Sequence, residues 1–142
     1  DDGASPAAPP PAAQPDLYGA AERALGEGRV AEALALLERI ASAAPGSVAS
    51  GRALIDIGET HLRAARPGDA RRAFARYLRE QPGGTSREAA RVSICRIDAG
   101  AGRFADAAAC YAAYLAEFPR GTFAEEARRA ASVAGEESKK AP

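Results

Sequence analysis

Apolar side chains recur along this chain with two periods at once. The short period is helical. Ala70, Phe74 and Tyr77 stand at i, i+4 and i+7, one stripe of a 3.6-residue helix. Ala107, Tyr111 and Tyr114 repeat the stripe, and Ala33, Leu37 and Ile40 repeat it again. The long period is 37 residues: it separates Pro45, Pro82 and Pro119, and also Ala53, Ala90 and Ala127. Leu78 and Leu115 share that spacing, as do Glu80 and Glu117. Several series in one gapless register mark an internal repeat.

Each repeat reads as two helices. An acid precedes every stripe (Glu32, Asp69, Asp106), where a negative charge favours the unpaired amides of the helix start. The proline ends the helix, because its ring cannot continue the ladder and its predecessor avoids helical backbone. Thr85-Ser86-Arg87-Glu88 and Thr122-Phe123-Ala124-Glu125 then fit the S/T-x-x-E capping box. In the first helices, Leu54, Ile57 and Gly58 form an apolar stripe with a small residue for close approach. Ile94 and Cys95 occupy the places of Ile57 and Gly58. Short turns join the two helices of a unit: GEGR at 26–29, ARPG at 65–68 and AGAGR at 99–103.

These signals predict helices at about 17–26, 30–43, 48–64, 68–80, 86–100, 105–117 and 123–135. No hairpin hides both of its apolar faces alone, so the units are expected to stack around one continuous core. The expected fold is all-α: a right-handed α-α superhelix of three helical hairpins and a C-terminal capping helix. Polar residues of that last helix, such as Glu126 and Arg129, are expected to face water.

Composition narrows the picture. Alanine, at 38 residues, dominates, while Trp and Met are absent and aromatics are 6%. That suits closely packed helices and excludes a β-sandwich or barrel. Nineteen basic residues balance nineteen acidic ones, against a polybasic nucleic-acid binder. Arg outnumbers Lys 17 to 2, which reads as a coding bias. No apolar run reaches the length of about 18 residues that a membrane span needs. Residues 1–16, with five prolines and no large apolar side chain, read as an unfolded linker; 17–135 form the repeat domain and 136–142 a polar tail. The first residue is Asp, so a processed or trimmed chain is expected, with no signal peptide inside it.

The units resemble tetratricopeptide repeats. That family places small residues at the eighth and twentieth positions, a large apolar group at the twenty-fourth and proline at the thirty-second. Here these are Ala21, Gly58 and Cys95; Ala33, Ala70 and Ala107; Leu37, Phe74 and Tyr111; and the three prolines. The resemblance spans roughly 17–135. It departs at the eleventh position, usually aromatic, which is Ala24, His61 and Asp98, and in the period of 37 rather than 34. The extra residues follow the proline, in PGSVAS, PGGTSRE and PRGTFAE. There the chain is similar to the longer repeats of bacterial envelope proteins, such as outer-membrane assembly lipoproteins and the periplasmic coordinator of the Tol-Pal system.

The resemblance implies a groove lined by the first helices, at Tyr18, Glu22, Arg52, Ile55, Glu59, Arg63, Val92, Arg96 and Arg129. Its four arginines suggest a positive lean, suited to an acidic segment or a C-terminal carboxylate, or else simply solvated charges. The lysine-and-asparagine clamp of chaperone-binding relatives is absent.

Little else carries chemistry. His61 is the sole histidine, which leaves no two-histidine metal site and no assembled triad; it reads as a helix residue within a hairpin. Cys95 and Cys110 flank the turn near Gly102 almost equally. They form either a disulfide, in an oxidising compartment, or two buried thiols. The acid pairs Glu125-Glu126 and Glu136-Glu137 point apart on a helix, and no phosphate-binding glycine motif occurs.

The expectation is a non-enzymatic adaptor without cofactor, binding a protein or peptide in the periplasm or cell envelope, with the cytoplasm as the alternative. Self-association into oligomers, or service as an accessory domain to an upstream enzyme or sensor, are the competing readings. No nucleic acid and no membrane insertion are expected.

Overall fold

A computed structural model describes Gly3 and residues 16–140. The linker expected at 1–16 lies, apart from Gly3 and Asp16, outside the described residues. Among the described residues there are seven helices and no strand. They are α1 (Leu17–Gly26), α2 (Val30–Ala43), α3 (Val48–Arg63), α4 (Pro67–Glu80), α5 (Arg87–Gly100), α6 (Phe104–Glu117) and α7 (Ala124–Lys140). Extensive packing joins each helix to the next in sequence, from α1 on α2 through to α6 on α7. That chain of neighbour contacts is the signature of a helical-hairpin solenoid.

Six helices fall within a residue of their expected bounds. The seventh does not: EESKK, expected as a polar fray, continues α7 to Lys140. Lys139 and Lys140 sit in the last turn, where cations suit the exposed carbonyls, and Lys140 pairs with Glu137 at 2.8 Å.

The turn inside every hairpin is built the same way. Gly28, Ala65 and Gly102, 37 residues apart, take positive φ at 74°, 56° and 74°. The following amide, on Arg29, Arg66 or Arg103, donates back five residues to Ala24, His61 or Asp98, at 2.8, 2.8 and 3.0 Å. This is the Schellman arrangement that satisfies carbonyls at a helix end. Ala65 adopts it against the Cβ preference that glycine avoids.

Small residues set the helix spacing. Ala33, Ala70 and Ala107 are each fully buried. At Gly58 the ring of Phe74 lies so close that an added Cβ would sit 2.5 Å from its Cε1. Tyr77, Tyr111 and Tyr114 are buried as the stripe predicted.

Two further expectations fail. The capping boxes do not form: α5 begins at Arg87 and its N-cap, Ser86, makes no side-chain cap bond. Instead the buried tyrosine of the preceding helix reaches the loop. The Ser86 amide donates to Tyr77 Oη at 2.9 Å, and the Phe123 amide to Tyr114 Oη at 3.0 Å. Glu88 turns away from its own helix start to accept from Tyr114 Oη at 2.6 Å. The core also divides in two. Ala90, Ile94 and Ile97 of α5 close a cluster reaching back to α1, while Val92 and Cys95 open a second with α6 and α7. One helix with two buried faces serves both clusters, and Cys110 touches each.

Beside this division sits a buried carboxylate, Asp98, at 1% exposure. Arg71 of α4 grips it with two hydrogen bonds, at 2.9 and 3.0 Å, and Arg103 donates from the α5–α6 turn at 2.7 and 3.1 Å. Burial pushes the Asp98 carboxyl up, but the bonds from Arg71 and Arg103 outweigh it and hold the group below the ordinary carboxylate range. Three elements are thereby tied at one point.

Candidate functional site

The first helices of the units, α1, α3, α5 and the capping α7, present one shared face. Side chains reach directly between them. The Tyr18 hydroxyl of α1 donates to Asp56 of α3, and the Arg52 guanidinium lies 3.8 Å from the centre of the Tyr18 ring. Glu22 of α1 meets Arg52 at 3.3 Å. Further along, Arg96 of α5 grips Glu126 of α7 at 2.7 and 3.0 Å and lies over the Phe123 ring at 5.0 Å. Arg129 pairs along α7 with Glu125 at 3.6 Å.

The positive lean expected of this face is therefore absent. Three of its four arginines, Arg52, Arg96 and Arg129, already hold a carboxylate. Arg63 donates to Thr60 Oγ1 at 3.5 Å, and its charge bears on Asp56. The reason is a spacing that the sequence reading missed. Residues 30 apart on successive first helices face each other, which joins Glu22 to Arg52 and Arg96 to Glu126. The same step from exposed Glu59 lands on Ala89, so that acid has no counterpart there.

Val92, expected in the groove, is not accessible. It is 1% exposed and packs in the second core cluster, because α5 lies between neighbours on two sides. Ile55 and Tyr18 are half-buried on the face, and Glu22, Glu59, Arg63, Arg96 and Arg129 are exposed. Burial and the nearby Glu59 together push the Asp56 carboxyl up, against the pull of Arg63.

Three clefts open from these helices. The largest, about 650 Å³, lies between α3 and the loop from α4 to α5, lined by Arg52, Ile55, Asp56, Tyr77 and Gly84. A second, about 380 Å³, lies where α3 ends beside α5, at Leu62, Pro67 and Ile97. The third, about 350 Å³, lies between α5 and α7, at Ala99, Phe104 and Val133.

Cys95 and Cys110 form a disulfide across α5 and α6, their Cα atoms 5.3 Å apart. Of the two open alternatives, the bridge is the one found. Cys95 takes the place of Gly58 in the repeat, a contact that brings helices close. His61 is half-buried, with Nδ1 enclosed and unbonded, beside Glu38, Asp69, Arg72 and Arg76 around a cavity of about 200 Å³. Among the described residues no three His, Cys, Asp or Glu side chains converge as a metal site. No helix among them is long and apolar enough to cross a membrane.

Residues 24–92, just under half of the chain, match the family model described as tetratricopeptide repeat. The matched stretch is similar to tetratricopeptide repeats, which generally mediate protein–protein interaction. No curated protein matches the chain.

Proposed function

We propose that the chain is an adaptor that holds a protein or peptide partner against the shared face of α1, α3, α5 and α7. One observation carries this reading: four first helices aligned on one face, with clefts opening between them at Ile55, Ile97 and Val133. The family match supports the class of activity. The outer side of α7 is polar, with Glu125, Arg128, Ser132 and Glu136 exposed, and so offers little apolar surface for stacking copies end to end.

A bulky ring on the groove face tests the reading. Partners crosslinked to the chain in its native cell are expected to be lost with Glu59→Trp and kept with Arg79→Trp on the exposed side of α4. The reverse pattern overturns it.

The working compartment is proposed to be oxidising, as in the bacterial cell envelope. The Cys95–Cys110 bridge supports this, since disulfides persist where thiols are not kept reduced. Alkylation of protein taken from the native cell should find both sulfurs blocked; two free thiols overturn the assignment. Reduction of the bridge, which spans a sequence separation of 15, should lower unfolding stability in urea by about 3 kcal/mol.

A further inference from the structure

The junction from α4 to α5 lacks two side chains that the junction from α6 to α7 has. On the step of 37 residues, Gly51 and Ser86 correspond to Glu88 and Phe123. At the later junction the Tyr114 hydroxyl accepts from the Phe123 amide and donates to Glu88 at 2.6 Å, while the Phe123 ring lies under the Arg96 guanidinium. At the earlier one the Tyr77 hydroxyl accepts from the Ser86 amide at 2.9 Å, but its own proton meets no acceptor among the described residues. Gln81 folds over Gly51, yet its amide donates to the Ser47 carbonyl at 2.8 Å rather than pairing with Tyr77.

The cleft of about 650 Å³ opens at this place. Gly51, Tyr77, Gly84 and Ser86 line it, and they are the counterparts of Glu88, Tyr114, Gly121 and Phe123 around the later bond. Tyr77 is 4% exposed, so water reaches its unspent donor poorly, and a buried donor without an acceptor is costly. α5 starts beside it. Its N-cap, Ser86, makes no side-chain bond to the helix start, so the amides there also favour a negative group. The acids already at the cleft are engaged: Asp56 accepts from Tyr18, and Glu80 accepts from Arg76 at 2.7 Å. Arg52, also in the lining, holds Glu22 only through an exposed contact at 3.3 Å.

We propose that this cleft takes from a partner protein what Glu88 and Phe123 supply one repeat later: an acidic side chain that accepts the Tyr77 proton, beside an aromatic ring that lies over Ser86. This rests on the groove reading above and names the chemistry that reading leaves open. The buried hydroxyl selects the acceptor, and the small residues Gly51, Gly84 and Ser86 leave it room to enter.

An array of C-terminally amidated peptides tests this, each carrying one glutamate and one phenylalanine at varied spacing in a Gly-Ser host, so that the only carboxylate offered is a side chain's. At least one spacing should bind the full chain, and glutamine in place of the peptide's glutamate should cost about tenfold in affinity. That loss should disappear in Tyr77→Phe, which has no proton to give. Ser86→Phe, which fills the cleft with the chain's own ring, should abolish binding; circular dichroism checks that both variants fold, and either one alone decides the matter. A glutamine penalty undiminished in Tyr77→Phe, or binding that survives Ser86→Phe, overturns the proposal. Failure to bind at every spacing overturns it as well. The groove reading then still stands where Glu59→Trp costs the chain its crosslinked partners, and falls too where that variant keeps them.

Discussion

The junction from α2 to α3 and the two later junctions, α4 to α5 and α6 to α7, solve one problem with different residues. Each must satisfy amides at the start of a helix that follows a proline. In the first, Ser47 accepts the Ser50 amide at 3.1 Å, and Ser50 Oγ donates back to the Ala41 carbonyl at 2.7 Å. In the later two, Tyr77 and Tyr114 reach across from the previous helix. The places of Tyr77 and Tyr114 are held by Ile40 in the first unit, and those of Gly84 and Gly121 by Ser47. The two substitutions belong together. A Cβ at Gly84 would collide with the Tyr77 hydroxyl, and one at Gly121 would sit 2.5 Å from Tyr114 Oη. A tyrosine therefore requires a glycine opposite, while an isoleucine leaves room for a self-capping serine.

The largest break in this comparison should come from Gly121→Val. Forcing a side chain against Tyr114 and Glu88 should destabilise by about 2 kcal/mol in urea unfolding, within the usual range for overpacking. A loss below a few tenths would mean that the glycine is not required by the tyrosine.

Tyr114→Phe should follow, at about 1.5 kcal/mol, because it removes the donor to Glu88 and leaves the Phe123 amide only its longer bond to Glu88 Oε1 at 3.4 Å. Tyr77→Phe removes only the Ser86 bond and should cost about 1 kcal/mol. Burial, with the bond to Glu88 second, pushes the Tyr114 hydroxyl up to about 12. The folded state therefore holds this proton more tightly than the unfolded chain, where the group titrates near about 10. Its contribution is complete below about pH 10 and disappears as the pH rises towards about 12. Thermal melts across that window should show an alkaline loss that is smaller in Tyr114→Phe.

The smallest effect belongs to the first junction. Ser47→Gly should cost only a few tenths of a kcal/mol, since glycine is itself a tolerable N-cap. In that background Ile40→Tyr should be accommodated better than in the presence of Ser47, which a double-mutant cycle reads directly.

Much of this was visible in advance because the repeat writes each element three times. The proline series placed the helix ends, and the alanine and aromatic stripes named the buried faces of α4 and α6. Val92 misled because its repeat equivalents, Tyr18 and Ile55, are only half-buried, while Val92 itself is drawn into the second core cluster with residues of α6 and α7. The arginines misled because charge was summed along one face without its neighbours. Only with α1 against α3 and α5 against α7 do residues 30 apart become ion pairs. The threonine boxes misled because the local pattern was complete, yet its acids found other partners: Glu88 accepts from Tyr114 of another helix, and Glu125 pairs with Arg129.

By itself, the order of residues determined the repeat length, the helices, and the small side chains that let them approach, since these follow from periodicity and backbone preference within a few turns. Tertiary structure decided which amide each hydroxyl would meet, which arginines would be spoken for, and that Cys95 and Cys110 would join. Those outcomes depend on distances between helices, and such distances exist only once the hairpins have stacked.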